Sequence, residues 1–145
     1  FIQLTPVTVD VDTIPKLPRL QLGGREDLAL HFLYSAAMRI AANPLIATKI
    51  GAFKELSDAG AGGSGFSFVD IAANKAGIWL VDNIAGIAQQ QLFILNSVDF
   101  EAAFMPAWQD LPEGLTEAQL QHRFGGPEGE GSKALLRQIE QRLLE

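Results

Sequence analysis

Few polar residues interrupt the apolar stretches of this chain, and those that do fall at helical spacings. Asp27 and His31 are four apart, Glu55 and Asp58 are three apart and follow Lys54, and Asp70 and Asn74 are four apart with Ser67 just before them. Residues three or four apart share one face of a helix. One imidazole with several carboxylates, His31 with Glu55, Asp58 and Asp70, is a donor set for Mn²⁺, Fe²⁺ or Zn²⁺, whereas Ca²⁺ and Mg²⁺ prefer oxygen alone. A divalent metal held there could activate water for hydrolysis. Without a metal, Glu55 as general acid and Asp58 as its partner is the remaining acid/base arrangement.

The same residues also read as a structural network. Asp70 can complete a helix cap at Ser67, Lys54 can pair with an acid, and His31 can be a hydrogen-bonded core histidine. Buried polar groups must be paired, and a closed set of them fixes how helices register. The structural reading is preferred, because no HExxH or other specific metal signature accompanies the residues. No cofactor-binding motif is present either. The glycine run 60–65 lacks the GK[ST] of a phosphate loop, and the serines near it lack the G-x-S-x-G pattern of a nucleophile elbow.

Helices must position these groups. The first is expected over 25–42, acidic in its opening turn and apolar along Leu28, Phe32, Ala36 and Ile40, and Asn43-Pro44 stops it. A second is expected over 45–58 and is ended by the glycine-rich tract 59–65. Ser67 caps a third, from Phe68 to about Gly86. If these three pack antiparallel in sequence, the starts of the first and third meet the end of the second, and the polar pairs converge. Trp79 belongs to the core in this reading. Leu92–Leu95 is ambiguous between strand and buried helix.

Ser97 is expected to cap a short helix reaching Phe104, and Trp108 to anchor the loop 106–114. Thr116 and Gln119 form a capping box that starts a helix over 117–124. After the glycine-rich 125–131, Ser132 is expected to cap a last helix, 133–144, with a stripe of Leu135, Leu136, Ile139 and Leu143. His122 reads as a surface histidine. The first 24 residues, with prolines among Val7, Val9 and Val11, form an extended arm.

The expected architecture is mainly α: a three-helix core over 25–105, an N-terminal arm over 1–24 and a tail of short helices over 106–145. With 145 residues the chain suits one domain, and 48% apolar against 19% charged residues is a core-forming composition. The net charge of −6, with basic residues scattered singly, argues against nucleic acid as a partner. The absence of cysteine excludes disulfides, thiol catalysis and cysteine zinc sites. No stretch reads as a membrane span, since charges and Pro44 interrupt 28–53, and Asp82 and Asn83 interrupt 76–87. A chain starting at Phe1 is expected to have lost a leader.

The string H-x(22)-K-E-x-x-D, a glycine-rich loop, then G-F-S-F-x-D-x-A-A-N-x-A-G resembles the YfiM-like lipoproteins of Gram-negative bacteria. It is similar, more distantly, to VanZ-like membrane proteins. The matching positions are Asp27, His31, Lys54, Glu55, Asp58, Gly65, Phe66, Ser67, Asp70, Asn74 and Gly77, within about residues 25–80. Departures are Phe68 where tryptophan is common, no basic residue after the first Asp, and no lipobox cysteine. The resemblance implies a helical fold and a periplasmic or envelope location, and it supplies no reaction. The expectation is therefore a structural or interaction domain of the envelope, meeting a protein partner through the N-terminal arm, the C-terminal helix and an exposed Trp108. The competing expectation is a metal-dependent or acid/base hydrolase acting on an envelope substrate.

Overall fold

A computed structural model describes residues 19–41, 59, 63–84 and 100–144. The expected arm before residue 19, the expected second helix with Lys54, Glu55 and Asp58, and the stretch 92–95 lie outside the described residues. The protein is mainly helical. The described residues hold α1 (Glu26–Ala41), α2 (Phe68–Asn83), α3 (Phe100–Phe104), α4 (Glu117–Phe124) and α5 (Glu130–Arg142). Two isolated bridges, Leu22 with Arg25 and Phe66 with Leu115, are the β-type pairings among them.

α1 and α2 lie side by side and run in the same direction, because His31 meets Asp70 near their starts and Arg39 meets Asp82 near their ends. Each is amphipathic only in part. α1 buries Leu28, Ala29, Phe32 and Ser35, while α2 buries every residue from Phe68 to Asn74 and then Ala76 and Gly77. The small side chains of Ala72, Ala73, Ala76 and Gly77 let the backbones come close. A Cβ on Gly77 would stand 2.1 Å from the carbonyl oxygen of Phe32, so only glycine fits at this crossing. On the opposite side of α1, Leu30, Leu33, Tyr34 and Ile40 are exposed.

The start of α2 is set by its own cap and by the loop beside it. The Ser67 hydroxyl accepts the Asp70 backbone N–H at 3.0 Å. Phe66 exchanges two backbone hydrogen bonds with Leu115, at 2.7 and 2.9 Å, and the Phe68 N–H donates to the Pro112 carbonyl at 2.9 Å. This pairing brings Gly65, at φ 92°, against Gly114, whose backbone leaves no room for a side chain. Three rings stack edge-on at this end, with Phe68 5.1 Å from Phe66 and 5.3 Å from Phe124.

The helices after residue 105 join the same hydrophobic cluster as α1 and α2. Leu120 of α4 and Ile139 of α5 are fully buried in it, with Leu135, Leu136 and Leu143 packed against it. Lys75 of α2 also reaches Glu140 of α5 at 2.6 Å. α4 has the expected capping box at Thr116 and Gln119, and Gly125 ends it in the left-handed conformation.

The start of α5 differs from expectation. The helix begins at Glu130 with Gly129 as its cap, and Ser132 lies within the first turn. Ser132 is 1% exposed and donates to the Gly126 carbonyl at 2.7 Å. Its hydroxyl adds a second hydrogen bond to the Gly126 carbonyl, which also accepts the Gly129 N–H, and so ties the first turn of α5 to the end of α4. α2 runs to Asn83, and Gly86, where the sequence placed its end, lies outside the described residues. Trp108, expected to be exposed, is half-buried over Gly23 and 5.7 Å from the Arg25 guanidinium. Trp79 packs against the core with its ring 6.2 Å from Phe104.

Candidate functional site

The α1–α2 interface carries a ladder of polar side chains. On α1 the positions 27, 31, 35 and 39 recur every four residues and thus hold one face; on α2 the matching positions are 70, 74 and 82. His31 stands between two rungs. Its Nε2 lies 3.2 Å from Asp70 Oδ2, and its Nδ1 lies 3.2 Å from Asn74 Oδ1. The Ser35 hydroxyl donates to the same Asn74 oxygen at 2.8 Å. One turn further, Arg39 Nη2 meets Asp82 Oδ1 at 2.5 Å. The site is shielded: the His31 and Asp70 side chains keep only 11% and 13% of their exposure.

Asp70 carries two duties. Its backbone completes the Ser67 cap, while its carboxylate reaches across to His31 through Oδ2. The other oxygen, Oδ1, is buried and has no hydrogen-bond partner among the described residues. A buried carboxylate oxygen without a donor is costly and calls for a ligand or a structural reason.

Of the residues expected to form the site, the structure brings His31, Asp70 and Asn74 together and places Ser67 directly beside them. Lys54, Glu55 and Asp58 lie outside the described residues. Asp27 shares the His31 face, but its carboxylate is gripped by Arg25, at 3.1 Å from Nε to Oδ1 and 2.6 Å from Nη2 to Oδ2. Arg25 also holds Glu113 at 2.8 Å, which ties α1 to the loop before α4. His122 is exposed on α4.

Ser35 and the Arg39–Asp82 pair are members that the sequence reading passed over. The signal was available, since a polar residue every fourth position through an apolar helix marks a face that meets other polar groups. Ser35 carries little signal of its own, because serine is small and common within helices that pack closely.

The arrangement constrains its chemistry. The Ser35 hydroxyl is directed at Asn74, so Ser35 is not placed as a nucleophile activated by His31. Among the described residues no three His, Cys, Asp or Glu side chains are grouped to hold a metal ion.

The ion pair beside the ladder makes stability pH-dependent. The Arg25 hydrogen bonds hold the Asp27 carboxyl below the usual carboxylate range, against the opposing effect of burial. A carboxyl with a lowered folded pKa contributes stability above its unfolded value of about 3.9, and that contribution is lost as pH falls through the folded pKa. Thermal unfolding between pH 6 and pH 2 is therefore expected to show a shallower acid-side loss in Asp27→Asn than in wild type. Parallel curves would show that the pair contributes nothing. The pair is half-exposed, so the effect is modest.

No family model, curated protein or solved structure matches the chain. Among the described residues no helix is long and apolar enough to cross a membrane.

Proposed function

We propose that this chain is a structural or interaction domain of the Gram-negative periplasm or envelope, of the YfiM-like kind, that does not act as an enzyme. Its polar ladder serves to hold α1 and α2 in one register. The observation that supports this reading is the mutual pairing of Ser35, Asn74, His31 and Asp70 across two helices, in a buried place where each bond crosses the interface. Sliding one helix by a turn would strand several polar groups at once, whereas an apolar interface would tolerate it. A scaffold with one fixed geometry suits a domain that meets a partner. Two glycines that the YfiM-like resemblance marks, Gly65 and Gly77, stand where two backbones approach too closely for a side chain.

A double-mutant cycle on Ser35→Ala and Asn74→Ala, read by denaturant unfolding, tests the register role. A coupling of about 1–2 kcal/mol is expected for a buried hydrogen bond. Additive effects would remove the ladder from the account of stability. Fractionation of the native host should place the protein with the periplasmic or envelope material, and a cytosolic pool would sink that part of the reading.

The alternative is a metal-dependent or acid/base hydrolase acting through His31, Glu55, Asp58 and Asp70. One observation favours a ligand at this place, namely that Asp70 Oδ1 is buried with no hydrogen-bond partner among the described residues.

A further inference from the structure

We infer that the outward face of α1 is a self-association surface, on which a second copy of this chain lies antiparallel. The face is built by Leu30, Leu33, Tyr34, Ala37 and Ile40, all exposed, the four larger side chains by 45–75%. Their spacing is that of a coiled-coil seam, with Leu30 and Ala37 at one core position and Leu33 and Ile40 at the other. Between Asp27 and Arg39 the helix carries no Asp, Glu, Lys or Arg. The other side of the helix is already used, since Leu28, Phe32 and Ser35 are buried. Single exposed leucines are ordinary, but a continuous apolar stripe marks an interaction surface.

The stripe is complementary to itself. Antiparallel placement about Ser35 sets Leu30 level with Ile40 of the second copy and Leu33 level with Ala37 of the second copy. A large side chain then meets a small one near the centre, and large ones meet at both ends. The same placement carries Glu26 and Asp27 past the end of the other α1 at Ala41, so no carboxylate is buried. A parallel pair would instead set the two acidic first turns side by side, where like charges repel. His31 and Arg39 lie within the overlap but are held towards α2 by Asp70 and Asp82. Beside the stripe, a groove of about 230 Å³ opens between Leu20 and Leu33. Ile40 of the second copy comes level with this groove, and Ile40 is the most exposed residue of the stripe.

The area sets the strength. With Leu20 included, each copy offers about 600 Å² of side-chain surface, so the pair buries about 1,200 Å², the lower bound for a specific complex. That suits a reversible homodimer with a Kd on the order of 10–100 µM. A lipid surface fits less well. The chain carries a net charge of −6, and membrane-bound helices carry lysine and arginine opposite the apolar face, where α1 packs on α2. The inference goes beyond the register role, which concerns the other side of α1.

Sedimentation equilibrium of the full chain, over concentrations spanning that Kd, is the test. A monomer–dimer equilibrium is expected. Leu30→Glu and Ile40→Lys, both at exposed positions, should each raise Kd more than about tenfold while keeping the unfolding midpoint. Mixing the Leu30→Glu and Ile40→Lys chains should restore a heterodimer, because the introduced charges are opposite and stand level. Leu144→Glu, at an exposed leucine elsewhere, should dimerise as wild type does. Loss of the dimer in that variant would assign the contact to the end of α5 and overturn the inference. A wild-type chain that stays monomeric, or a dimer that both α1 variants leave intact, overturns it as well. So does a monomer that floats with phosphatidylglycerol vesicles, which would give the face to lipid. The Ser35–Asn74 coupling is measured below the Kd, so the register reading and this one fail separately.

Discussion

Replacing Gly77 by alanine is expected to destabilise the protein by about 2–4 kcal/mol, although alanine is the better helix former by about 1 kcal/mol. Gly77 lies inside α2, where propensity alone favours the substitution. The added methyl would sit 2.1 Å from the Phe32 carbonyl oxygen and 3.2 Å from the Ala36 backbone nitrogen. Backbone cannot swing aside as a flexible side chain can, so α1 must move away from α2. That movement also lengthens the His31, Ser35 and Arg39 contacts, which lie within a turn or two of the crossing. Denaturant unfolding measures the result. Stability equal to wild type, or higher, would show that α1 does not pack on this face of α2.

Phe68→Ala carries the other large effect, a loss of about 3–5 kcal/mol. Phe68 is completely buried, and its ring meets Phe66 and Phe124 edge-on. Its removal leaves a cavity at the place where the first turn of α2, the loop at Leu115 and the end of α4 meet. The walls of that cavity include backbone pairing between Phe66 and Leu115, which resists collapse. Phe68→Leu keeps most of the volume and should lose far less, about 1–2 kcal/mol. Equal losses for the two substitutions would mean that packing volume at this end does not matter. Because Asp70 sits two residues on, in the same turn, the alanine variant should disturb the His31 contact as well.

Local signals in the sequence carried well into the structure. The acidic first turn of α1, the Ser67 cap and the Thr116–Gln119 capping box each depend on residues within one turn of each other, and all three are found. The spacing of Asp27, His31, Asp70 and Asn74 likewise revealed which groups share a face. What spacing could not reveal is the partner. Asp27 and His31 have the same helical phase, yet Asp27 turns to Arg25, two residues before it, and His31 turns to α2. Arg25 decides this, because its planar fork meets the carboxylate at both oxygens and leaves Glu113 for its remaining donor.

Ser132 shows the same limit. A serine after a glycine-rich stretch has the chemistry of a cap, but the carbonyl of Gly126 lies within reach and accepts from Ser132 as well as from the Gly129 N–H. The glycines divide in the same manner. In the sequence the tract before Ser67 reads as a loop, whereas Gly77 falls inside the expected third helix. The structure gives Gly77 the stricter role, since its missing side chain admits the Phe32 carbonyl.

The sequence by itself determined the helical class, the caps that start α2 and α4, and the face on which His31 and Asp70 must lie. These follow from contacts within a few residues, where the chain has little freedom. Tertiary structure alone decided that Ser35 joins the ladder, that Arg39 meets Asp82, and that Asp70 keeps one buried oxygen without a described donor. Those depend on which residues meet across forty positions of chain, and no local propensity encodes that choice.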